Sequence, residues 1–192
     1  MIYSPKSKPD GTIRDWLNYH AEKSPDRICY QFSDNSSDLT WSGLLKKVIS
    51  ISKFLIQLDI KKGESVAICM SNGSNALQIF YAIIYGGFRV TPLNLAAGPA
   101  ALGHAISHSK CNYILYEDER SEILSNALEE TNANPTTINV KNNTFENVKN
   151  CSVNRAEVFA YVDVLSFFLF INPFIKISNR YFIIIQNFIL PI

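Results

Sequence analysis

Apolar positions recur at helical spacing through the first sixty residues and then condense into short unbroken runs, a change that predicts an α/β chain. Thr12 is placed to cap a first helix in which Ile13, Trp16, Leu17 and His20 share one face, with Pro25 closing it. Arg27 to Phe32 alternates enough for a strand, followed by a polar turn at Ser33 to Asp38. Thr40 then caps a longer helix, Trp41 to Leu58, whose Leu44, Leu45, Val48, Ile51, Leu55 and Leu58 keep helical period.

Beyond Lys61-Lys62-Gly63 the pattern changes. Val66-Ala67-Ile68-Cys69-Met70 is a continuous apolar run, as expected of a strand buried on both faces. Asn72-Gly73-Ser74 reads as a strand-to-helix turn, and Ala76 to Tyr85 as a helix apolar nearly all round. Gly86-Gly87 stops it, and Phe88 to Thr91 begins the next strand. Gly98-Pro99 opens another helix with proline where a missing N–H is harmless. Tyr113 to Tyr116 is a further strand and Ser121 to Glu130 a further amphipathic helix. Strands and helices in this alternation predict a mostly parallel sheet with crossover helices.

Composition then shifts twice. Residues 131–150 are polar and rich in Asn and Thr, read as a loop with a weak strand near Thr137 to Val140. From about 151 the chain is rich in Phe, Ile and Asn, and the last glycine of the sequence is Gly103. Val158 to Ile171 and Tyr181 to Ile192 are apolar, yet each is shorter than the ~18–20 residues a spanning helix needs. No firm membrane segment is therefore expected.

The formal net charge of +1 offers no broad attraction to nucleic acid, and no basic stripe interrupts the scattered Lys and Arg. Residues 1–11 are polar and read as a disordered N-terminus rather than a secretory signal. Four isolated cysteines, Cys29, Cys69, Cys111 and Cys151, form no C-x-x-C pair and suggest a reducing compartment, so a cytoplasmic location is expected.

Candidate chemistry is sparse. Gly98 to Gly103 has the G-x-x-x-x-G spacing of a phosphate loop, but His104-Ala105 stands in place of Lys-Ser/Thr and the intervening residues are helical. His104 and His108 share a helix face with Cys111 shortly after, a geometry that permits zinc. No matching Cys or His pair completes a closed shell, so the expectation is a partly exposed helix face. Asp118, Glu119 and Glu122 gather at a helix start, where they favour the macrodipole, and Glu129-Glu130 at its end; both groups read as solvated surface. No catalytic, cofactor-binding or metal-binding residue is assigned.

Several landmarks in order nevertheless carry a family resemblance. These are Thr12-Ile13-Arg14-Asp15-Trp16-Leu17, Pro25-Asp26-Arg27, Leu39-Thr40-Trp41-Ser42-Gly43-Leu44, Lys62-Gly63-Glu64-Ser65-Val66-Ala67-Ile68, Gly86-Gly87 and Pro92-Leu93-Asn94. Over roughly residues 12–116 the chain resembles the N-terminal portion of AMP-dependent synthetases and ligases, the adenylate-forming enzymes that include acyl-CoA synthetases of fatty acid metabolism. The resemblance implies a partial N-terminal subdomain of that fold. In the intact family it implies carboxylate activation with ATP and Mg²⁺, then transfer to a thiol, usually coenzyme A.

The family's Ser/Thr/Gly-rich ATP loop follows a strand, for which residues 164–170 are the candidate. Where the loop would begin, this chain reads Ile171-Asn172-Pro173-Phe174. No cofactor is therefore expected for these 192 residues themselves. The division expected is 12–150 for the family's N-terminal region and 151–192 for an atypical apolar tail. The favoured reading is a truncated front piece, inactive alone, whose tail derives from read-through or frameshift. The alternative is a binding or regulatory fragment that pairs with a full-length relative or a membrane. Helices that lack the partners they normally pack against would leave apolar surface exposed, so self-association or pairing through that surface is expected.

Overall fold

A reciprocal capping box opens the first element. Thr12 Oγ1 accepts the Asp15 N–H, and the Asp15 carboxylate accepts the Thr12 N–H at 2.9 Å. These bonds from Thr12 hold the Asp15 carboxyl below its usual range. Helix α1 (Ile13–Lys23) buries Trp16, Leu17 and His20 and ends at Ser24, before Pro25. The computed structural model describes residues 11–32, 38–141 and 144–145. The N-terminal segment and the 151–192 tail, including the strand expected at 164–170, lie outside the described residues.

Strand β1 (Ile28–Tyr30) is shorter than the alternation predicts, and it pairs antiparallel with β2 (Leu39–Thr40), which the sequence pattern did not reveal. Helix α2 (Trp41–Gln57) starts at Thr40, whose hydroxyl accepts the Gly43 N–H at 3.1 Å. Leu44, Val48, Ile51 and Leu55 are buried along one stripe. Such side chains contribute about 1.5–3 kcal/mol each when fully removed from water. Ser52 lies on the same side, fully buried. Its hydroxyl is shared between the carbonyls of Val48 in its own helix and Ala82 in the neighbouring one.

Four strands form the parallel sheet: β3 (Ser65–Cys69), β4 (Arg89–Pro92), β5 (Cys111–Tyr116) and β6 (Thr136–Asn139), in the order β4-β3-β5-β6. Helix α3 (Ser74–Tyr85) connects β3 to β4, α4 (Pro99–Ser109) connects β4 to β5, and α5 (Ser121–Glu129) connects β5 to β6. A short 3₁₀ turn at Asp118–Arg120 precedes α5. The strand alternation separates two cores. Val66 and Ile68 join α1, α2 and α3 on one face, while Ala67 and Cys69 join Leu102, Ile106 and Leu124 on the other. Residues Ala76 to Tyr85 are all buried, as the all-round apolar pattern predicts.

Glycines set two close approaches. At Gly86 a Cβ would stand 2.5 Å from the Phe88 ring. At Gly103 it would stand 2.6 Å from the Ala127 carbonyl oxygen, so bare backbone is what lets α4 lie against α5. That contact accounts for the second glycine of the apparent phosphate loop: Gly98 to Gly103 runs into a continuous helix, as the sequence predicts. After β6 the chain returns over α2, where the Phe145 ring meets Phe54 edge-on at 5.2 Å and its carbonyl accepts the Ser50 hydroxyl. Among the described residues no helix is long and apolar enough to cross a membrane.

Candidate functional site

Strands β3 and β5 are neighbours, yet the chain leaves β3 toward a helix on one face and β5 toward a helix on the other. Their carboxyl ends therefore part, which opens the kind of crevice where open α/β sheets accept ligands. A cleft of about 550 Å³ lies there. Its walls are the β2–α2 corner with Thr40, Gly43 and Lys47, the turn from Ser71 to Ala76 with Gln78, and Glu117 at the end of β5.

One side-chain network joins the two strand ends. The Glu117 carboxylate accepts the Ser71 backbone N–H at 2.5 Å. Arg120 donates to the Ser71 hydroxyl through Nη2 at 2.6 Å and Nε at 3.1 Å, and its Nε stands 3.4 Å from Glu117. Deeper in the wall, Gln78 is buried and donates to the Ser74 hydroxyl at 2.7 Å. Cys69, at the last position of β3, sits behind this network. Burial pushes its thiol up to about 11, with Arg120 pulling the other way and Glu117 adding to the rise.

Sequence reasoning did not single out Ser71, Glu117 or Arg120. The available signal was positional: each lies within four residues of the end of a strand in an alternating β/α pattern. The acidic groups are exposed, as expected of solvated surface, and one member also makes surface contacts. Asp118 accepts a hydrogen bond from Asn139 Nδ2 and lies 3.9 Å from Lys141 Nζ, tying the 3₁₀ turn to β6. His104 and His108 are exposed on α4, as expected, with rings stacked 5.8 Å apart. Cys111 turns away from them; it is buried, and its thiol donates to the Ile106 carbonyl.

What the cleft can do follows from these partners. The Ser71 hydroxyl faces a guanidinium rather than a base, and among the described residues no histidine lines the cleft to activate it. A phosphate group also finds no cradle among the described residues. Gly73 has extended backbone at φ 174°, the space beside Gly103 is filled by α5, and Glu117 is already engaged by Ser71 and Arg120. The described residues thus do not fit ATP. No group of three or more His, Cys, Asp or Glu among them could hold a metal ion.

Comparison with known proteins places this architecture. A stretch of 83 residues is 35% identical to the 2-succinylbenzoate–CoA ligase of Bacillus cytotoxicus, covering 43% of this chain and 17% of that protein. The same enzyme of Bacillus cereus is 30% identical over the same length and share. The chain thus matches less than a fifth of the length of these curated relatives. Among solved structures, the luciferase-like enzyme of the nonluminescent mealworm Zophobas morio superposes with a TM-score of 0.65 at 20% identity, over 74% of this chain and 33% of that one. A fatty acyl CoA synthetase of Mycobacterium tuberculosis gives 0.61 at 20% identity, over 67% and 26%. These likenesses establish the fold: a partial N-terminal subdomain with a parallel sheet and crossover helices. The family model for AMP-binding enzymes matches residues 17–162, and the chain belongs to that family.

Proposed function

We propose that residues 12–150 are the front segment of an ATP-dependent ligase that activates a carboxylate as its acyl-adenylate and passes it to coenzyme A. Within such an enzyme this segment is scaffold. The observation that carries the reading is the switch-point cleft, where Glu117, Arg120 and Ser71 satisfy one another and the described residues supply neither a phosphate cradle nor an activated nucleophile. On this reading ATP and Mg²⁺ belong to parts of the enzyme other than these residues, and the 192-residue chain alone forms no adenylate. The apolar sequence of 151–192 is a separate, divergent tail and the source of any self-association. Among the described residues Ile28 is the exposed large apolar side chain. Buried, unpaired thiols at Cys29, Cys69 and Cys111 suit a reducing compartment such as cytoplasm.

Two measurements test this. Carboxylate-dependent ATP–pyrophosphate exchange by the purified chain, with 2-succinylbenzoate and a long-chain fatty acid as substrates, is expected to stay at background; exchange above it overturns the scaffold reading. Conversely, grafting residues 12–139 in place of the matching segment of a 2-succinylbenzoate–CoA ligase is expected to give an active chimera. A folded but inactive chimera counts against these residues as that family's scaffold.

A further inference from the structure

Helix α4 carries a feature that the scaffold reading does not use. His104 and His108 stand one turn apart, both exposed, with their rings stacked, 15° from parallel and 5.8 Å between centres. Two imidazoles facing a common tetrahedral ion stand about 5 Å apart, given metal–nitrogen bonds of about 2.0–2.1 Å. Stacked rings do not aim their nitrogens at one point, so a common ion requires both exposed side chains to turn about their own bonds, which the one-turn spacing on α4 permits. The backbone beneath is held firmly. Leu102 and Ile106 anchor α4 in the core, and Gly103 seats it against α5. We propose that His104 and His108 form a two-ligand surface site for a borderline divalent transition-metal ion such as Zn²⁺, with water completing the coordination.

Cys111 does not join the site as a third ligand. That thiol is buried against the Ile106 carbonyl, and burial raises its pKa. An open two-imidazole site takes ions in the order that nitrogen ligands prefer, so Cu²⁺ and Ni²⁺ compete with Zn²⁺, whereas Mg²⁺ does not. Binding by the second imidazole is intramolecular once the first is engaged. Loss of either ring therefore removes most of the affinity rather than half.

Zn²⁺ titration of the full chain, followed by the imidazole NMR resonances, tests the assignment. The rings of His104 and His108 are expected to shift together at one equivalent while His20, buried among Trp16 and Trp41, does not move. His104→Asn and His108→Asn should each weaken binding by about tenfold or more. An exchange variant, His108→Lys with Lys110→His, keeps three histidines and the same net charge but breaks the one-turn spacing. Lys110 has φ 51°, a conformation histidine tolerates better than most residues, so the fold is expected to hold. Zn²⁺ affinity unchanged in these variants, or shifts confined to other groups, overturns the site; loss in all three supports it.

Discussion

Glu117 accepts the backbone N–H of Ser71 across the parted ends of β5 and β3, and Arg120 closes the same triangle from the 3₁₀ turn. Three residues from two crossover connections therefore hold one crevice. Within that triangle the polar groups satisfy one another and brace the two strand ends.

Hydrogen bonds to a charged partner contribute about 1.5–3 kcal/mol, and Glu117 is largely shielded by its surroundings. Glu117→Gln keeps an acceptor and is expected to lose about 1 kcal/mol; Glu117→Ala should lose about 2–3 kcal/mol. Urea unfolding of the three proteins checks the order. Equal stability in all of them would remove the brace.

A methyl group at position 103 would press on the Ala127 carbonyl oxygen rather than on a flexible side chain. Gly103→Ala gains helix propensity of about 1 kcal/mol, but overpacking against backbone costs about 1–3 kcal/mol. Net destabilisation is the expected result, seen as a lower Tm. A rise in Tm would mean that α5 moves aside freely.

His20 stacks on Trp41 at 4.6 Å and meets Trp16 edge-on. Burial, with a smaller contribution from the Arg27 charge, lowers its pKa below the ordinary 6.5. The folded state thus favours the neutral ring, and the unfolded state binds the proton first. Stability from this group is complete above about 6.5 and declines as pH falls below it. His20→Phe should flatten that acid limb; parallel pH profiles for the two proteins would show that His20 does not set it.

The alkaline limb has the opposite origin. Burial pushes the Cys29 thiol from 9.0 up to about 12, and the Tyr81 hydroxyl, bonded to Tyr30 at 2.5 Å, from 10.0 up to about 12. Both groups deprotonate first in the unfolded chain, so stability declines as pH rises from about 9 toward 12. Cys29→Ala removes one of them. Its stability is expected to fall less steeply over that window than that of the unsubstituted chain, as chemical denaturation at stepped pH would reveal.

Much of the fold is legible without coordinates. The caps at Thr12 and Thr40, the all-apolar helix to Tyr85 and the Gly98-Pro99 helix start follow from local rules, because propensity, capping and periodicity act within a few residues. The strand at β2 escaped, since two residues carry no period and owe their pairing to Ile28 and Tyr30. The crevice escaped for a related reason. Ser71 and Glu117 are 46 residues apart, and nothing local says that the strands before them are neighbours.

The amino-acid sequence by itself determined most of the helices and the strands of the parallel sheet, and the family kinship visible over residues 12–116. Tertiary structure alone decided that the sheet runs β4-β3-β5-β6 and that helices depart to opposite faces at its centre. It also decided that Glu117 and Arg120 meet Ser71, and that Cys111 turns inward while His104 and His108 stay out. The physical reason is range. Hydrogen bonds along a helix and alternation along a strand are settled by near neighbours, whereas strand order and the meeting of distant side chains are settled by how two apolar cores close around one sheet.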